Sequence, residues 1–296
     1  MGEILALIET LKTGSVNPRG RTPLKNFGLI SCDNTVHIRQ IPFYEPCIIM
    51  ILSGRKLLFG TPGTITCEAG TTITVPAPSY FSMRNEIDPH GHYYKALLIP
   101  FRDDDLERLR LAHRIEPAAE RHEAGILKFE HDATLVEAVK HYLGSNGDPH
   151  LRDHRLLEIL LILAKKNPRL LSYAFSGESW SRRVRTLLSA DLARAWEIGE
   201  VCQRLGTSES ALRRHLKGEK AGFRELLHEL RLGTALTLLL QTSHPVYRIA
   251  YDCGYQSVPR FTSNFHKRFG LPPKALRTTV SETGKKLDVR GHPTAA

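Results

Sequence analysis

The stretch that decides the fold of the second half of this chain is Val246–Gly270, VYRIAYDCGYQSVPRFTSNFHKRFG. A small residue, Ala250, stands four positions before Gly254, and Ser257 then opens a run in which phenylalanine recurs every fourth position. The small residue lets two helices cross closely, the glycine accepts a turn conformation that a β-carbon resists, and the serine can cap the second helix. The stretch therefore predicts a helix–turn–helix unit.

A second copy of this pattern occurs earlier, at Trp196–Glu219, WEIGEVCQRLGTSESALRRHLKGE. Here Cys202 precedes Gly206 by four residues, and Ser208 opens the second helix. Between the copies, Phe223–Thr242 is rich in leucine and contains no proline. At 1.5 Å per residue these ~20 residues predict a helix of about 30 Å, close to the ~34 Å between successive major-groove openings on one face of DNA.

The positive charge of the chain is concentrated in the half that contains this repeat. The whole chain has 41 Lys and Arg against 31 Asp and Glu, a formal net charge of +10. Residues 1–179 contain 21 of each kind, and residues 180–296 contain 20 basic and 10 acidic residues. A neutral first part and a basic second part indicate that only the second part meets a polyanion.

The first hundred residues have the pattern of β-strands. Pro46–Phe59 is apolar and broken at Ser53-Gly54, the next twenty residues alternate Thr, Ile and Val between Gly and Pro, and His92–Phe101 is again apolar. Short strands closed by Gly and Pro turns predict an antiparallel barrel or sandwich.

The pattern becomes helical after Phe101. An acidic DDDLERLRL segment, Thr134–Leu143 and Asp153–Lys166 each predict a helix, and the last ends at a KKNP stop signal. We expect Ser172–Trp180 to be a linker and Thr278–Ala296 to be a frayed tail.

Several classes of protein fit the sequence poorly. The N-terminus has Glu3 and no basic segment before its apolar residues, and the apolar run Leu156–Ala164 is far shorter than the ~20 residues of a membrane span. Five cysteines without a CxxC pair support neither a disulfide framework nor a zinc finger. We therefore expect a cytoplasmic protein without a membrane segment, whose cysteines serve as buried small residues rather than as redox sensors.

The run Arg248–Arg277, RIAYDCGYQSVPRFTSNFHKRFGLPPKALR, closely resembles the C-terminal signature of AraC/XylS-type bacterial transcription regulators. The resemblance covers about Trp180–Arg277 and includes the Ile-Ala pair, the Gly-aromatic turn, the three spaced phenylalanines and the closing Gly-Leu-x-Pro. More loosely, EPCIIMILSGRKLLFG and the strands after it look like the cupin-like sensing domain that many members have at the N-terminus.

The resemblance implies an α+β protein with two domains. Residues 1–172 would form a cupin-like β-barrel with trailing dimerisation helices, residues 180–280 an all-α DNA-binding domain with two helix–turn–helix motifs, and residues 281–296 a frayed tail. It further implies a regulator, more often an activator than a repressor, that binds double-stranded promoter DNA as a homodimer. Its other partners would be RNA polymerase and an unknown small-molecule effector, with no cofactor.

Matched position by position, the resemblance also implies the DNA-binding residues. In the first motif these are Ser208, Ser210, Arg213, Arg214 and Lys217, the last near phosphate, and in the second they are Ser257, Pro259, Arg260, Thr262, Ser263, His266, Lys267 and Arg268. Many members have arginine where Ser263 stands, and serine cannot make a bidentate contact with guanine. We therefore expect the first motif to supply most base specificity and the second to hold phosphates through His266, Lys267 and Arg268.

A different class of function remains open for the first domain. His90-Gly91-His92 has the HxH spacing of cupin metal sites, so the alternative is a metal- or small-molecule-binding enzyme with an accessory DNA-binding domain. No glutamate follows at short spacing, and a polar turn that leads into a strand is the favoured interpretation. A nonspecific architectural DNA protein is the other alternative.

One helix has more apolar surface than its own domain requires. Asp153–Ala164 has leucine and isoleucine on nearly all of its faces, more than a helix buried on one side needs. We expect this helix to pack against both its own domain and a second subunit.

Overall fold

The computed structural model describes residues 4, 27–60, 63–115, 125–145, 148–176 and 179–279. Within these residues, no helix is both long enough and apolar enough to span a bilayer. The predicted tail at 281–296 lies outside the described residues.

Nine described strands build two antiparallel sheets in the first half of the chain. One sheet has the order β1-β8-β3-β6-β9 and the other β2-β7-β4-β5. The strands are β1 Gly28–Cys32, β2 Val36–Phe43, β3 Cys47–Ser53, β4 Arg55–Phe59, β5 Thr64–Glu68, β6 Thr71–Val75, β7 Ser79–Glu86, β8 Tyr94–Pro100 and β9 Leu127–Glu130.

The predicted α+β fold is confirmed, and the β-domain is a pair of facing sheets rather than a closed barrel. None of the pairings among the described strands joins one sheet to the other. The chain crosses between sheets at Gly54, the predicted break. Its φ is 75°, and a β-carbon added there would overlap the backbone oxygen of Glu86, so the position has room only for glycine.

Three helices cover the outer face of the five-stranded sheet. They are α1 Asp103–His113, α2 Ala133–Gly144 and α3 Pro149–Lys166, and their apolar residues form one buried cluster with the outward side chains of β3 and β8. The third helix starts four residues before the predicted Asp153, because the Asp148 carboxylate accepts hydrogen bonds from the backbone N–H groups of His150 and Leu151.

The predicted linker is ordered over most of its length. Pro168–Ser176 is a 3₁₀ helix, and Tyr173 is only 1% exposed. Its hydroxyl donates to the backbone oxygens of Thr74 (3.1 Å) or Gly125 (2.6 Å) in the first domain. The prediction of a linker from Ser172 onward is therefore wrong as far as Ser176, because burial of one aromatic ring fastens the segment to the sandwich.

The remaining described residues are helical. The helices are α4 Trp180–Leu188, α5 Ile198–Leu205, α6 Glu209–Gly218, α7 Phe223–Gln241, α8 Val246–Asp252, α9 Val258–Phe269 and α10 Pro273–Thr279. Both predicted turns are present, with Gly206 and Gly254 at φ values of 66° and 79°. The first half of α7 shares a core with α5 and α6, whereas its second half shares a core with α8 and α9.

The two halves of the chain pack against each other. The core of the second helix–turn–helix unit is continuous with the interior cluster of the sandwich. Gly233 of α7 approaches Pro42 and Tyr44 closely enough that an added β-carbon would meet them at 3.0 and 3.1 Å. A second contact between the halves is made by helix α9, which packs beside β2.

Candidate nucleic-acid interface

The first candidate reading helix, α6, begins at a serine cap. The Ser208 hydroxyl accepts a hydrogen bond from the backbone N–H of Ala211 at 3.2 Å. Leu212 and Leu216 are 0% and 1% exposed and hold one face of the helix in the core. The opposite face is exposed and consists of Ser210, Arg213, Arg214 and Lys217, which share one side because their spacing follows the helical period.

The two arginines of α6 differ in their surroundings. Arg213 forms an ion pair with Glu209 one turn earlier, at 3.2 Å. Arg214 is exposed and has no ion-pair partner among the described residues. A guanidinium that no carboxylate engages keeps its full fork of donors for a ligand. Arg214 is therefore the better placed of the two for a bidentate contact.

The second candidate reading helix, α9, has the same construction. Ser257 is its N-cap, and Phe261, Phe265 and Phe269 are fully buried on one face. The exposed side chains on the other faces are Pro259, Arg260, Ser263, His266 and Lys267, while Thr262 is half-buried.

Arg268 lies on a different side of α9 from these residues. Its guanidinium donates to Gln40 Oε1 at 2.6 Å, pairs with Glu229 at 3.5 Å and lies 5.3 Å from the centre of the Tyr80 ring. The side chain is 20% exposed. One residue rotates the side chain by about 100°, so Arg268 faces the sandwich while Lys267 faces solvent. The assignment of Arg268 to a phosphate clamp remains a prediction, and it would require Arg268 to leave Gln40 and Glu229.

The end of α6 is joined to the start of α4 by contacts that sequence reasoning missed. The Glu219 carboxylate accepts hydrogen bonds from the backbone N–H groups of Trp180 (2.8 Å) and Ser181 (2.9 Å), as a capping acid does at a helix N-terminus. The Trp180 ring stacks on His215 of α6, with centroids 4.6 Å apart. Arg182 then pairs with Asp103 of the first domain. No local pattern predicts these contacts, since each joins residues distant in sequence.

A cleft of about 730 Å³ lies between the two domains, within the size range of small-molecule sites. Tyr44 and Tyr80 line it from the first domain, and Arg182, Arg185 and Arg268 line it from the second. The Arg185 guanidinium lies 5.0 Å from the centre of the Tyr44 ring. Burial raises the pKa of the Tyr44 hydroxyl, which has no hydrogen-bond partner among the described residues.

The HxH sequence forms a turn between β7 and β8. Asp88 Oδ1 accepts from the backbone N–H of His90 at 2.8 Å and of Gly91 at 3.1 Å, and both histidines are exposed. Over the described part of the chain, no group of three or more His, Cys, Asp or Glu side chains is arranged to hold a metal ion. The favoured interpretation, a polar turn, agrees with this geometry.

Two protein-family models match separate parts of this chain. One is described as a helix-turn-helix domain and matches residues 201–279. The other is described as the ExsA N-terminal regulatory domain and matches residues 46–173. The two matches thus divide the chain into a β-domain and a following helix–turn–helix domain.

Relatives support the same division. The HTH-type transcriptional activator FapR of Escherichia coli is 26% identical over 161 residues, covering 53% of this chain and 61% of FapR. The dual regulator Rns of Escherichia coli is 28% identical over 157 residues, covering 52% of this chain and 57% of Rns. The chain therefore spans about three-fifths of the length of these relatives. The regulator YdeO of Escherichia coli O157:H7 is 28% identical over 70% of this chain and 85% of YdeO.

A solved structure shares the fold over most of this chain. A single-residue variant of apo ToxT from Vibrio cholerae superimposes with a TM-score of 0.64 at 15% identity, covering 88% of this chain and all of ToxT. Fold and matched domains together define a two-domain protein with a β-domain and a helix–turn–helix domain. Both domain matches and these relatives agree with the resemblance to AraC/XylS-type regulators.

Proposed function

We propose that this protein is a sequence-specific DNA-binding regulator that acts at promoters. The observation that supports it best is the exposed face of α6, where Ser210, Arg213, Arg214 and Lys217 stand opposite a buried leucine face. Arginine reads guanine through paired hydrogen bonds to O6 and N7 in the major groove. A serine-capped helix that presents such residues is what a reading helix requires.

The two motifs would act on successive major grooves with different roles. Helix α7 connects them and spans 19 residues, about 28 Å at 1.5 Å per residue. In α9, Lys267 and Arg260 would neutralise phosphates, which fixes the register of the protein on DNA without reading bases. Ser263 lacks the guanidinium fork, so base specificity would come mainly from α6.

We further propose that the protein works as a homodimer that activates transcription together with RNA polymerase. FapR and CfaD of Escherichia coli are named transcriptional activators. Helix α3 supports the dimer, because Leu157 and Leu161 remain partly exposed after the helix has packed on its own domain. A role at bacterial promoters would place the protein in the cytoplasm, where the DNA is found.

A small-molecule effector would bind in the cleft between the domains. One ToxT structure from Vibrio cholerae contains an unsaturated fatty acid, so a protein with this fold can bind an apolar acid. At this cleft Arg182 and Arg268 are already paired with Asp103 and Glu229. Arg185, which forms no ion pair among the described residues, would meet a negative group, and the rings of Tyr44 and Tyr80 would meet an apolar one. Occupancy of the cleft would change how firmly the second domain docks on the first. We infer that the chain has no catalytic activity of its own.

Selection of binding sites from a random duplex library by full-length protein tests the main proposal. We expect one DNA sequence to be enriched, with guanine preferred at the positions that the arginines of α6 contact. Enrichment of no motif, with equal affinity for random competitor DNA, would instead favour an architectural DNA protein. Stoichiometric iron, zinc or manganese in the purified protein would favour a cupin-type enzyme.

A further inference from the structure

One acidic residue stands among the basic side chains of the two candidate reading helices. Glu209 is the first residue of α6 after the Ser208 cap, and neither the rest of α6 nor any part of α9 contains another Asp or Glu. A carboxylate close to the phosphates of DNA lowers affinity through like-charge repulsion. An acid at this position therefore opposes binding in general and points to a role other than affinity.

Glu209 engages one of the two arginines of α6. Its Oε2 atom accepts a hydrogen bond from Arg213 Nη2 at 3.2 Å. The exposed fraction of the side chain is 51% for Glu209 and 64% for Arg213, so the pair remains open to a ligand. Residues four apart are neighbours on a helix surface, and these two lie at the N-terminal end of α6, where a reading helix contacts base edges.

The first helix of the motif fixes which arginine the carboxylate can reach. A β-carbon added to Gly199, the second residue of α5, would meet Glu209 Oε1 at 3.5 Å, so the carboxylate lies at the margin of the exposed face, beside α5. At about 100° per residue, Arg213 is about 40° around the helix from Glu209, and Arg214 is about 100° further. The acid can therefore engage Arg213 and leaves Arg214 unpaired.

We propose that Glu209 is a positioning residue that sets base specificity through Arg213. A guanidinium on this face can donate either to a base edge or to a phosphate. Glu209 occupies Nη2 and restrains the side chain, which leaves the other donors for a guanine acceptor. It also offsets the positive charge that would draw Arg213 to a phosphate. This role rests on the proposed function, because it concerns the same reading helix.

The second motif has no counterpart of this pair. Val258 follows its serine cap where Glu209 follows the first, and Thr262 stands four residues further on. In α6, Arg214 keeps its full fork of donors, whereas Arg213 keeps only those that Glu209 does not occupy. Arg213 should therefore contribute a smaller base preference than Arg214, about fivefold for a single hydrogen bond.

Site selection and salt titration of Glu209→Gln test this role, because glutamine preserves the shape of glutamate without its charge. We expect the variant to bind random duplex DNA severalfold more tightly than wild type, with a salt slope larger by about one, since Arg213 becomes free to neutralise a phosphate. Guanine preference at one base pair should fall about fivefold. Arg213→Ala should lose preference at the same base pair, and the double variant should lose no more.

Asp252→Asn is the matched control. Asp252 pairs with Arg248, four residues earlier, at 3.7 Å, and both side chains are about half exposed. This pair has the same spacing as Glu209 and Arg213 but lies on α8, which is the first helix of its motif and not the reading helix. The change should leave base preference the same at every position.

A purely structural role for Glu209 predicts the opposite sign. An acid in the first turn stabilises a helix, so the loss of that effect alone would weaken binding to all sequences and leave base preference unchanged. That result would overturn the proposal, and so would a lost preference at a base pair that Arg213→Ala does not affect.

Failure of this role can be told apart from failure of the proposed function. If wild type selects a DNA sequence and Glu209→Gln selects it with the same preference at every base pair, only the role of Glu209 is removed. If wild type selects no sequence, the proposed function is removed and this role with it.

Discussion

At the scale of single residues, Arg214 and Lys267 should contribute to DNA binding in different ways. Arg214→Ala removes a guanidinium that no carboxylate of the described chain engages, so it should cost about 1–3 kcal/mol on the preferred site and relax preference at one base pair. Lys267→Ala should weaken binding about equally on all sequences and lower the salt slope by about one. Site selection and salt titration of both variants measure these effects.

The opposite pattern would show that the roles are assigned the wrong way round. This would be the case if Arg214→Ala kept the wild-type base preference while Lys267→Ala changed it. Arg213→Ala should have a smaller effect than Arg214→Ala, because Glu209 already engages the Arg213 guanidinium.

Lys56 of β4 is fully buried and forms no ion pair among the described residues, so it should give the stability of the protein a distinct pH dependence. Its pKa is about 8 in the folded chain and 10.5 ordinarily, so between these values the unfolded chain binds more protons and folding becomes more favourable as pH rises. Lys56→Met lacks this term. We expect the Lys56→Met variant to have a larger free energy of unfolding than wild type at pH 7. The difference between the two free energies should shrink by about 3 kcal/mol when the pH is raised to about 10.5. Urea unfolding at both pH values measures this difference, and a constant difference would contradict the buried, unpaired amine.

At the scale of the elements, the turn of the second motif requires glycine. Gly254 has a φ of 79°, and an added β-carbon would overlap the backbone oxygen of Leu192. Gly254→Ala should therefore lower the free energy of unfolding by about 2 kcal/mol or more. Gly144→Ala is the control, since no atom lies within 4 Å of its added β-carbon, and it should be neutral or slightly stabilising. Equal effects of the two changes in thermal unfolding would contradict this account.

Helix α3 should be the dimer contact. Leu160 is fully buried in its own domain, whereas Leu157 and Leu161 are only partly buried. Leu157→Glu with Leu161→Glu should convert the dimer into monomers in sedimentation while the β-domain stays folded. Lys165→Glu places the same charge on an exposed position of this helix and should leave the dimer intact. A wild-type monomer at high concentration, both free and on DNA, would remove the dimer proposal.

At the scale of the whole molecule, DNA binding and interdomain docking should be separable. A fragment comprising residues 180–296 should bind promoter DNA with an affinity that falls steeply with salt, because phosphate neutralisation releases counterions. In the full chain Arg268 is held by Gln40 and Glu229. The fragment lacks Gln40, so Arg268 is freer to neutralise a phosphate there. The affinity of the fragment for DNA should therefore fall more steeply with salt than that of the full chain. A fragment that is folded by circular dichroism and still lacks salt-sensitive affinity would contradict the function proposed above.

Features that depend on neighbouring residues could be predicted without the structure. Turns at Gly54, Gly206 and Gly254 are visible because only glycine readily takes a positive φ. The buried faces of α6 and α9 are visible because apolar side chains recur with the helical period. The concentration of basic residues in the second part of the chain and the repeated helix–turn–helix pattern then indicated DNA binding and the family resemblance. Each of these signals is contained in a few consecutive residues.

The way these parts face each other could not be predicted from local patterns. Arg268 has the same type of neighbours along the chain as Lys267, yet it docks on Gln40, 228 residues away in sequence. Tyr173 turned a predicted linker into part of the first domain, and the amine of Lys56 on β4 came to donate to Asn85 of β7 in the buried interior. Long-range packing decides such contacts, because the free energy gained by burying a side chain depends on which distant surface covers it, and no local pattern specifies that surface.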